Sequence, residues 1–479
     1  MITSRRMAAV DVNAESLGVP RKQLMESSGN AVARVCRDLA DPGSSVAIVA
    51  GRGNNGGDAL VAARFLKAYD VTVTLLGRPE TISTDIAREN WEALVASEVD
   101  LQTVTDSVTF ELGDPDLVVD AMLGTGVTGA LREPEATAAR AINESSATVL
   151  AVDVPSGVDA DSGEAAGVAV EADHVVTFHD DKPGLESLDC DVTVEDIGIP
   201  AAAELFTGPG DLLTLRRDPQ SHKGDHGDVL VVGGGPYTGA PALAAQAALR
   251  AGADLARVAC PEYVAREVQG YSENLIVSGF DGDHLTTDHV PGLLDVAADR
   301  DVVVFGPGLG DHDESLAAVR EFLSAYDGTA VVDADALQVV PDVDTEATLI
   351  CTPHQGELVK MGGETDDDWE TRRELVREFA ADLGHVLLVK GAYDVVSDGD
   401  EDRVNRTGNP GMTVGGTGDV LAGATGALAS VLPPLDAAAV AAYANGRAGD
   451  AAADEFDGGL VATDLLERLP AALEGYQHE

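Results

Sequence analysis

Apolar runs of strand length alternate with helical patterns along almost the whole chain. In the first half, Ser45-Val-Ala-Ile-Val-Ala50, Val71-Thr-Val-Thr-Leu-Leu76, Leu117-Val-Val-Asp120 and Thr148-Val-Leu-Ala-Val-Asp153 read as buried strands. Between the first two, Asp58-Ala-Leu-Val-Ala-Ala-Arg-Phe-Leu-Lys67 has helical spacing. Repeated strand–helix units predict an α/β fold whose parallel sheet is covered by helices on both faces. The pattern pauses at Leu212-Leu-Thr-Leu-Arg-Arg-Asp-Pro219. It resumes with Asp228-Val-Leu-Val-Val-Gly233, Asp301-Val-Val-Val-Phe305, Thr329-Ala-Val-Val-Asp333 and Val386-Leu-Leu-Val-Lys390. Two domains are expected, 1–216 and 217–479, as the length of 479 residues also favours. No short repeat relates them.

Charge changes the picture. The chain holds 31 Lys and Arg against 83 Asp and Glu, a formal net charge of -52. The acids are interleaved with apolar strands, which argues against disorder. Such a surface repels nucleic acid and anionic membranes, and it repels itself where salt is low. A salt-adapted, cytoplasmic protein is expected, with a melting temperature that rises as KCl is added; a flat response would contradict this reading. The four cysteines, Cys36, Cys190, Cys260 and Cys351, form no CxxC pair, so neither a disulfide nor a zinc site is expected. Behind Arg5 and Arg6 there is no long apolar run, so no signal peptide or membrane span is expected.

The candidate chemistry lies where strands end. Gly51-Arg-Gly-Asn-Asn-Gly-Gly-Asp58 follows a strand and opens a helix, with glycines at the spacing of a dinucleotide loop. The acid that would hold a ribose after the second strand is missing: Leu76 is followed by Gly77-Arg-Pro79, which disfavours an ordinary NAD dehydrogenase. Asn54, Asn55 and Asp58 offer hard oxygen donors suited to a cation. Asp120-Ala-Met-Leu-Gly-Thr-Gly-Val-Thr-Gly129 and Asp153-Val-Pro-Ser-Gly-Val-Asp159 also close strands with polar groups. Each alone reads equally well as a tight turn with capping residues.

Together these segments, with Met25-Glu-Ser-Ser-Gly29 and Lys182-Pro-Gly-Leu185, resemble the NAD(P)H-hydrate epimerases over residues 1 to about 215. The resemblance implies a Rossmann-like domain. It implies potassium ligation by Asn55, Asp120 and Ser156. It assigns substrate-binding loops to Asn54, Asn55, Gly56, Gly57 and Asp58 and to Gly124, Thr125, Gly126, Val127, Thr128, Gly129 and Ala130. Asp153 is placed beside the reacting ring as a catalytic carboxylate. Ala59 departs from the glycine usual at its position, a change of one methyl.

In the second half, Gly415-Gly-Thr-Gly-Asp419 precedes a helical run of small residues, Val420 to Ala429. Backbone N–H groups at a helix start form an anion hole, and Asp419 could take a proton from a hydroxyl beside it. The sequence contains no GxxxxGK[ST] segment, which excludes P-loop chemistry. The Gly-Thr-Gly-Asp arrangement resembles the ribokinase-like superfamily. His222-Lys-Gly-Asp225, Tyr237-Thr-Gly-Ala-Pro241, Arg250-Ala-Gly-Ala253, Gly306-Pro-Gly-Leu-Gly310, Thr352-Pro-His-Gln-Gly-Glu357, Lys390-Gly-Ala-Tyr-Asp394 and Gly408-Asn-Pro410 narrow it. In this order they resemble the ADP-dependent NAD(P)H-hydrate dehydratases over about 217–470.

That resemblance implies contacts to the hydrated dinucleotide from Ala253, Gly308, His354 and the catalytic Asp419. It implies a site for ADP or ATP, with magnesium, at Lys390, Gly391, Ala392, Tyr393, Asp394 and Gly418. The substrates would be NADHX and NADPHX, the hydrates of NADH and NADPH, and a homo-oligomer is expected. Two other readings compete: a ribokinase-like kinase of a small hydroxylated vitamin precursor, and a non-catalytic nucleotide-binding regulator. The first leaves the epimerase-like half unexplained. The second leaves the full set Asn55, Asp120, Asp153 and Ser156 without a purpose.

Overall fold

A computed structural model describes residues 1–474 apart from 98, 127, 216 and 218. The chain divides into two compact units, Met1–Ala203 and Glu204–Glu479. The expected domain boundary at Arg216 and the loop residue Val127 lie outside the described residues.

The first unit holds β1 (Ser45–Ala50), β2 (Asp70–Leu76), β3 (Asp100–Val104), β4 (Leu117–Ala121), β5 (Thr148–Val152), β6 (His174–Phe178) and β7 (Asp191–Glu195). They form one sheet in the order β3-β2-β1-β4-β5-β6-β7, every neighbour parallel. The reason is visible in β4. Leu117 and Val119 face one core and Val118 faces another, so both sides must be covered, as helical crossovers do. Each such side chain, fully buried, contributes about 1.5–3 kcal/mol. The order reverses at β1 and β4, and the crevice outside their carboxyl ends is where such sheets bind ligands.

The second unit holds β8 (Asp228–Val232), β9 (Leu255–Pro261), β10 (Ile276–Phe280), β11 (Val302–Phe305), β12 (Thr329–Val332), β13 (Thr348–Cys351), β14 (Val386–Val389), β15 (Asp394–Ser397) and β16 (Asp402–Asn405). Their order is β10-β9-β8-β11-β12-β13-β14-β15-β16. The strands are parallel up to β14, and an antiparallel β14–β15–β16 meander finishes the edge. Again β8 splits its side chains, Val229 and Val231 into one core, Leu230 and Val232 into the other. The small residues of the helix Thr417–Ala429 let it lie directly on the helix Gly239–Arg250, where a Cβ at Gly423 would fall 1.9 Å from the Ala244 carbonyl. Among the described residues, no helix is long and apolar enough to cross a membrane.

Two helices begin earlier than their periodicity suggests. The helix after β1 runs Asn54–Phe65, so Asn54, Asn55, Gly56 and Gly57 form its first turn. Thr417, Gly418 and Asp419 likewise belong to the helix Thr417–Ala429. Glycine and asparagine mask a helix start in sequence because both are poor helix formers.

Candidate active sites at the carboxyl edges of the two sheets

In the first unit the ends of β1, β4, β5 and β6 supply one cluster. Asp120, at the end of β4, is fully buried. It accepts hydrogen bonds from Ser156 N (2.8 Å), Ser156 Oγ (2.7 Å) and Met122 N (3.2 Å). Burial raises its carboxyl to about 6, against the pull of those donors. Leu123 N donates to Ser156 Oγ at 2.9 Å, so Ser156 ties the turns after β4 and β5 together. A Cβ on Gly124 would sit 3.2 Å from the Asn55 side chain and 3.2 Å from Asp153 Oδ2, which brings Asn55, Gly124 and Asp153 to one place.

The amide of Asn55 is the telling group. Its Oδ1 and Nδ2 are both buried, and neither has a partner among the described residues. A buried unpaired amide is costly and calls for a ligand. The orphaned Asn55 carbonyl oxygen, the buried Asp120 carboxylate and the Ser156 hydroxyl are donor types that suit a hard cation. Both the helix at Asn54 and the one at Thr417 start on a glycine with no side-chain cap, leaving first-turn N–H groups for an anion.

Asp153 has φ 67°, a left-handed conformation that a non-glycine residue adopts at a cost and that recurs at functional sites. Its Oδ2 accepts from Thr125 N (3.3 Å) and its Oδ1 from Thr177 Oγ1 (3.3 Å). Lys182 Nζ lies 3.8 Å from Asp153 Oδ1. That ammonium is wholly enclosed, and it donates to Thr177 Oγ1, Phe178 O and Asp180 O at 2.8–3.0 Å. Burial lowers its affinity for the proton, while Asp153 and neighbouring acids work to restore it. Asp58 accepts a 2.5 Å bond from Ser28 Oγ, and burial raises its carboxyl well above the usual range. Burial likewise raises Asp11 to about 6. Gly29 allows the approach of the helix that carries Ser28: a Cβ there would sit 2.4 Å from Val61 and 2.6 Å from the Asp58 carbonyl. Thr128, Gly129 and Ala130 lie exposed beyond this cluster, as does Gly126.

In the second unit, Asp419 sits in the first turn of its helix. Burial raises its carboxyl to about 7; the charge of Asp333 adds to this and Lys390 opposes it. Lys390 Nζ donates to Asp333 Oδ1 at 3.0 Å and lies 3.9 Å from Glu357 Oε2. Thr352 Oγ1 donates to the same Asp333 oxygen at 2.7 Å. Burial depresses the Lys390 ammonium, but Asp333 and Glu357 outweigh it and hold its proton more firmly than usual. A Cβ on Gly418 would stand 3.4 Å from Lys390 Nζ, so the helix start and the lysine are adjacent. Gly308, with φ 72°, passes so close to the turn at Tyr237 that a Cβ would be 2.7 Å from the Tyr237 carbonyl.

His354 caps the helix Gln355–Lys360. Its Nδ1 accepts from Gly356 N and Glu357 N, while Glu357 Oε2 accepts from His354 N. Its ring remains exposed at the carboxyl edge. Gly391 and Ala392 are exposed, and Asp394 fastens their loop by accepting from Gly391 N and Asn405 Nδ2 at 2.9 Å. Burial raises the Asp394 carboxyl to about 6. Tyr393 stacks on Trp369, ring centroids 5.1 Å apart. Ala253 does not join these residues. It is buried just before β9, at the amino edge of the sheet, and its N–H is spent on the Ala248 carbonyl.

Two families match the chain. One, described as YjeF-related protein N-terminus, matches residues 21–184. The other, described as NAD(P)H-hydrate dehydratase, matches residues 229–471. The chain is 45% identical to the bifunctional NAD(P)H-hydrate repair enzyme of Pyrobaculum aerophilum, with 100% of this chain and 99% of that one covered. It is 44% identical to the protein of the same name from Archaeoglobus fulgidus, covering 98% of each. The chain belongs to the bifunctional NAD(P)H-hydrate repair enzymes. In fold, the second unit of this repair enzyme is similar to a ribokinase-like superfamily protein from Enterococcus faecalis, at 24% identity and a TM-score of 0.50, covering 56% of this chain and 95% of that one.

Asp11, Thr177 and Asp333 belong to none of the site motifs in the sequence, while Ser28 and Lys182 lie in motif segments that give them no task. Asp333 was the most accessible of these to inspection, since it ends a strand in the same way as Asp120 and Asp153. An acid at the end of an apolar strand, on the edge where parallel strands finish, was the available signal.

Proposed function

We propose that the first unit of this repair enzyme interconverts the R and S hydrates of NADH and NADPH, and that the second removes water from the S hydrate with consumption of an adenine nucleotide. Membership of the repair-enzyme family supports the overall activity. The division of roles is carried by one observation: each unit gathers a carboxylate and a lysine at the carboxyl edge of its own sheet, Asp153 with the buried Lys182 and Asp419 with the partly buried Lys390.

In the first unit the ring stereocentre at C6 must invert. Asp153 is positioned to move a proton, with the Lys182 ammonium 3.8 Å from its Oδ1. The uncapped start of the helix Asn54–Phe65 would hold the substrate's phosphates. Asn55 Oδ1, Asp120 and Ser156 would hold potassium, whose charge offsets that of the pyrophosphate. Asn55→Ala should therefore raise the KCl concentration that epimerisation needs. The check is the rate of exchange between separated epimers as KCl replaces tetramethylammonium chloride at fixed ionic strength. An unchanged potassium requirement would remove Asn55 from this role.

In the second unit the difficulty is the leaving group, because hydroxide departs poorly. Asp419 takes the proton of the C6 hydroxyl as its oxygen bonds the terminal phosphorus of ADP or ATP, and the nucleotide loses that phosphoryl group. The first-turn N–H groups at Gly416–Gly418 face the transferring group, and Lys390 supplies positive charge beside Gly418. The C6–O bond then breaks, phosphate leaves, and loss of a ring proton restores the reduced nicotinamide. Magnesium accompanies the nucleotide, and no residue is assigned to it. Gly308 and His354 flank the hydrated ring or its phosphates, and Gly391 to Asp394 line the nucleotide. Purified R hydrate tests the scheme: it should yield S hydrate without nucleotide, and reduced dinucleotide once ADP or ATP is added. Failure of the first step alone would leave the second unit as the active half.

A further inference from the structure

Beyond both sites, three donors converge in the second unit. His284 lies on the loop after β10, and His312 and Glu314 lie at the start of the helix Asp313–Ala325. Each offers a ligand atom, and the three atoms lie within 4.8 Å of one another. His284 and Glu314 are thirty residues apart in sequence, so folding brings them together.

The rings are held rather than loose. His284 Nδ1 is 2.7 Å from Asp283 Oδ1. A carboxylate there keeps the proton on Nδ1 and turns Nε2 outward as a basic donor, the usual support of a metal-binding histidine. His284 Nε2 points at Glu314 Oε2, 2.7 Å away. The His312 ring stacks on that of His284, centroids 3.9 Å apart and 23° between planes. His312 Nδ1 accepts from Glu314 N, the helix cap, which leaves Nε2 as its donor. Two protonated imidazoles at this spacing would repel, whereas two neutral ones can share one cation. Asp283, Asp311, Asp313 and Glu314 place negative charge around the group.

We propose that His284, His312 and Glu314, with Asp283 orienting His284, bind one divalent transition-metal ion of the zinc, cobalt or nickel class. Two imidazole nitrogens and a carboxylate oxygen suit such ions, and they select against magnesium and potassium, which prefer oxygen. The absence of a cysteine pair does not bear on this site, because its donors come from histidine and glutamate. The ion would tie the loop after β10 to the turn after β11 that carries Gly308. Both segments lie beside Gly235, where a Cβ would be 3.5 Å from the Leu309 carbonyl and 3.7 Å from that of Asp283.

The test is a Co2+ titration of the full-length protein with excess magnesium and potassium present. One Co2+ per chain is expected, with ligand-field absorption and no thiolate charge-transfer band. His284→Ala and His312→Ala should each weaken binding by about tenfold or more, and His385→Ala, elsewhere in the unit, should not. Nucleotide-dependent dehydration without added transition metal reports that the variants are folded. If either fails to fold, Glu314→Gln and Asp283→Asn, at exposed positions, replace it with the same expectation. No Co2+ bound by the wild type, binding unchanged in the variants, or a thiolate band would overturn the proposal.

Discussion

Asp419→Asn should leave the protein folded and slow dehydration of the S hydrate by about 10²–10⁴-fold, the usual worth of a positioned general base. Epimer exchange should be unaffected. The expectation rests on where the carboxyl sits: in the first turn of its helix, enclosed enough that burial raises it to about 7. A base must be ionised to act, so the wild-type rate should climb as pH rises through about 7 and then level off. The variant should lack that rise. Stability gives a second check. The free carboxyl ionises near 3.8, so between there and about 7 the unfolded chain gives up this proton while the folded state keeps it, and stability falls as pH rises through that window. Above that range, Asp419→Asn should melt no lower than the wild type. Nicotinamide absorbance recovered against pH, beside thermal melts, measures both. A full rate in the variant would remove Asp419 from the chemistry.

Asp153→Asn should abolish exchange between the hydrates, again by about 10²–10⁴-fold, while dehydration of pure S hydrate continues. Asparagine tolerates the left-handed backbone that Asp153 adopts, so the fold should survive. What disappears is the charge facing Lys182 Nζ at 3.8 Å and the ability to carry a proton. With the R hydrate as sole substrate, the variant should yield almost no reduced dinucleotide even with nucleotide present. Chromatography of the two epimers over time decides it, and wild-type exchange would make Asp153 a turn residue only.

Much of the architecture was legible. β1 carries the bounds its apolar run suggests, and β8, β12 and β14 each stop one residue short of theirs, because strands buried on both faces are continuous in hydrophobicity. β3 and β7 were missed because exposed residues interrupt their burial, leaving no apolar run to read. The β15–β16 meander is short and begins within a site motif at Asp394, which read as a binding loop. At the sites, glycine-rich turns announced themselves, whereas lone acids did not. In a chain with 83 acidic residues, Asp11 or Asp333 stands out only after folding has buried it beside a lysine or another carboxylate. Ala253 marks the reverse limit: a motif carries a residue's place in the chain, and the topology puts it at the far edge of the sheet from Asp419.

Two activities act in series on one damaged cofactor. The direct measurement is recovery of reduced-nicotinamide absorbance from a mixture of both epimers of hydrated NADPH, in high KCl with magnesium, with ADP, with ATP and with neither. Recovery of the whole mixture with a nucleotide and none without it is the predicted result. Recovery that halts with the R epimer left over, or none under any condition, would contradict it.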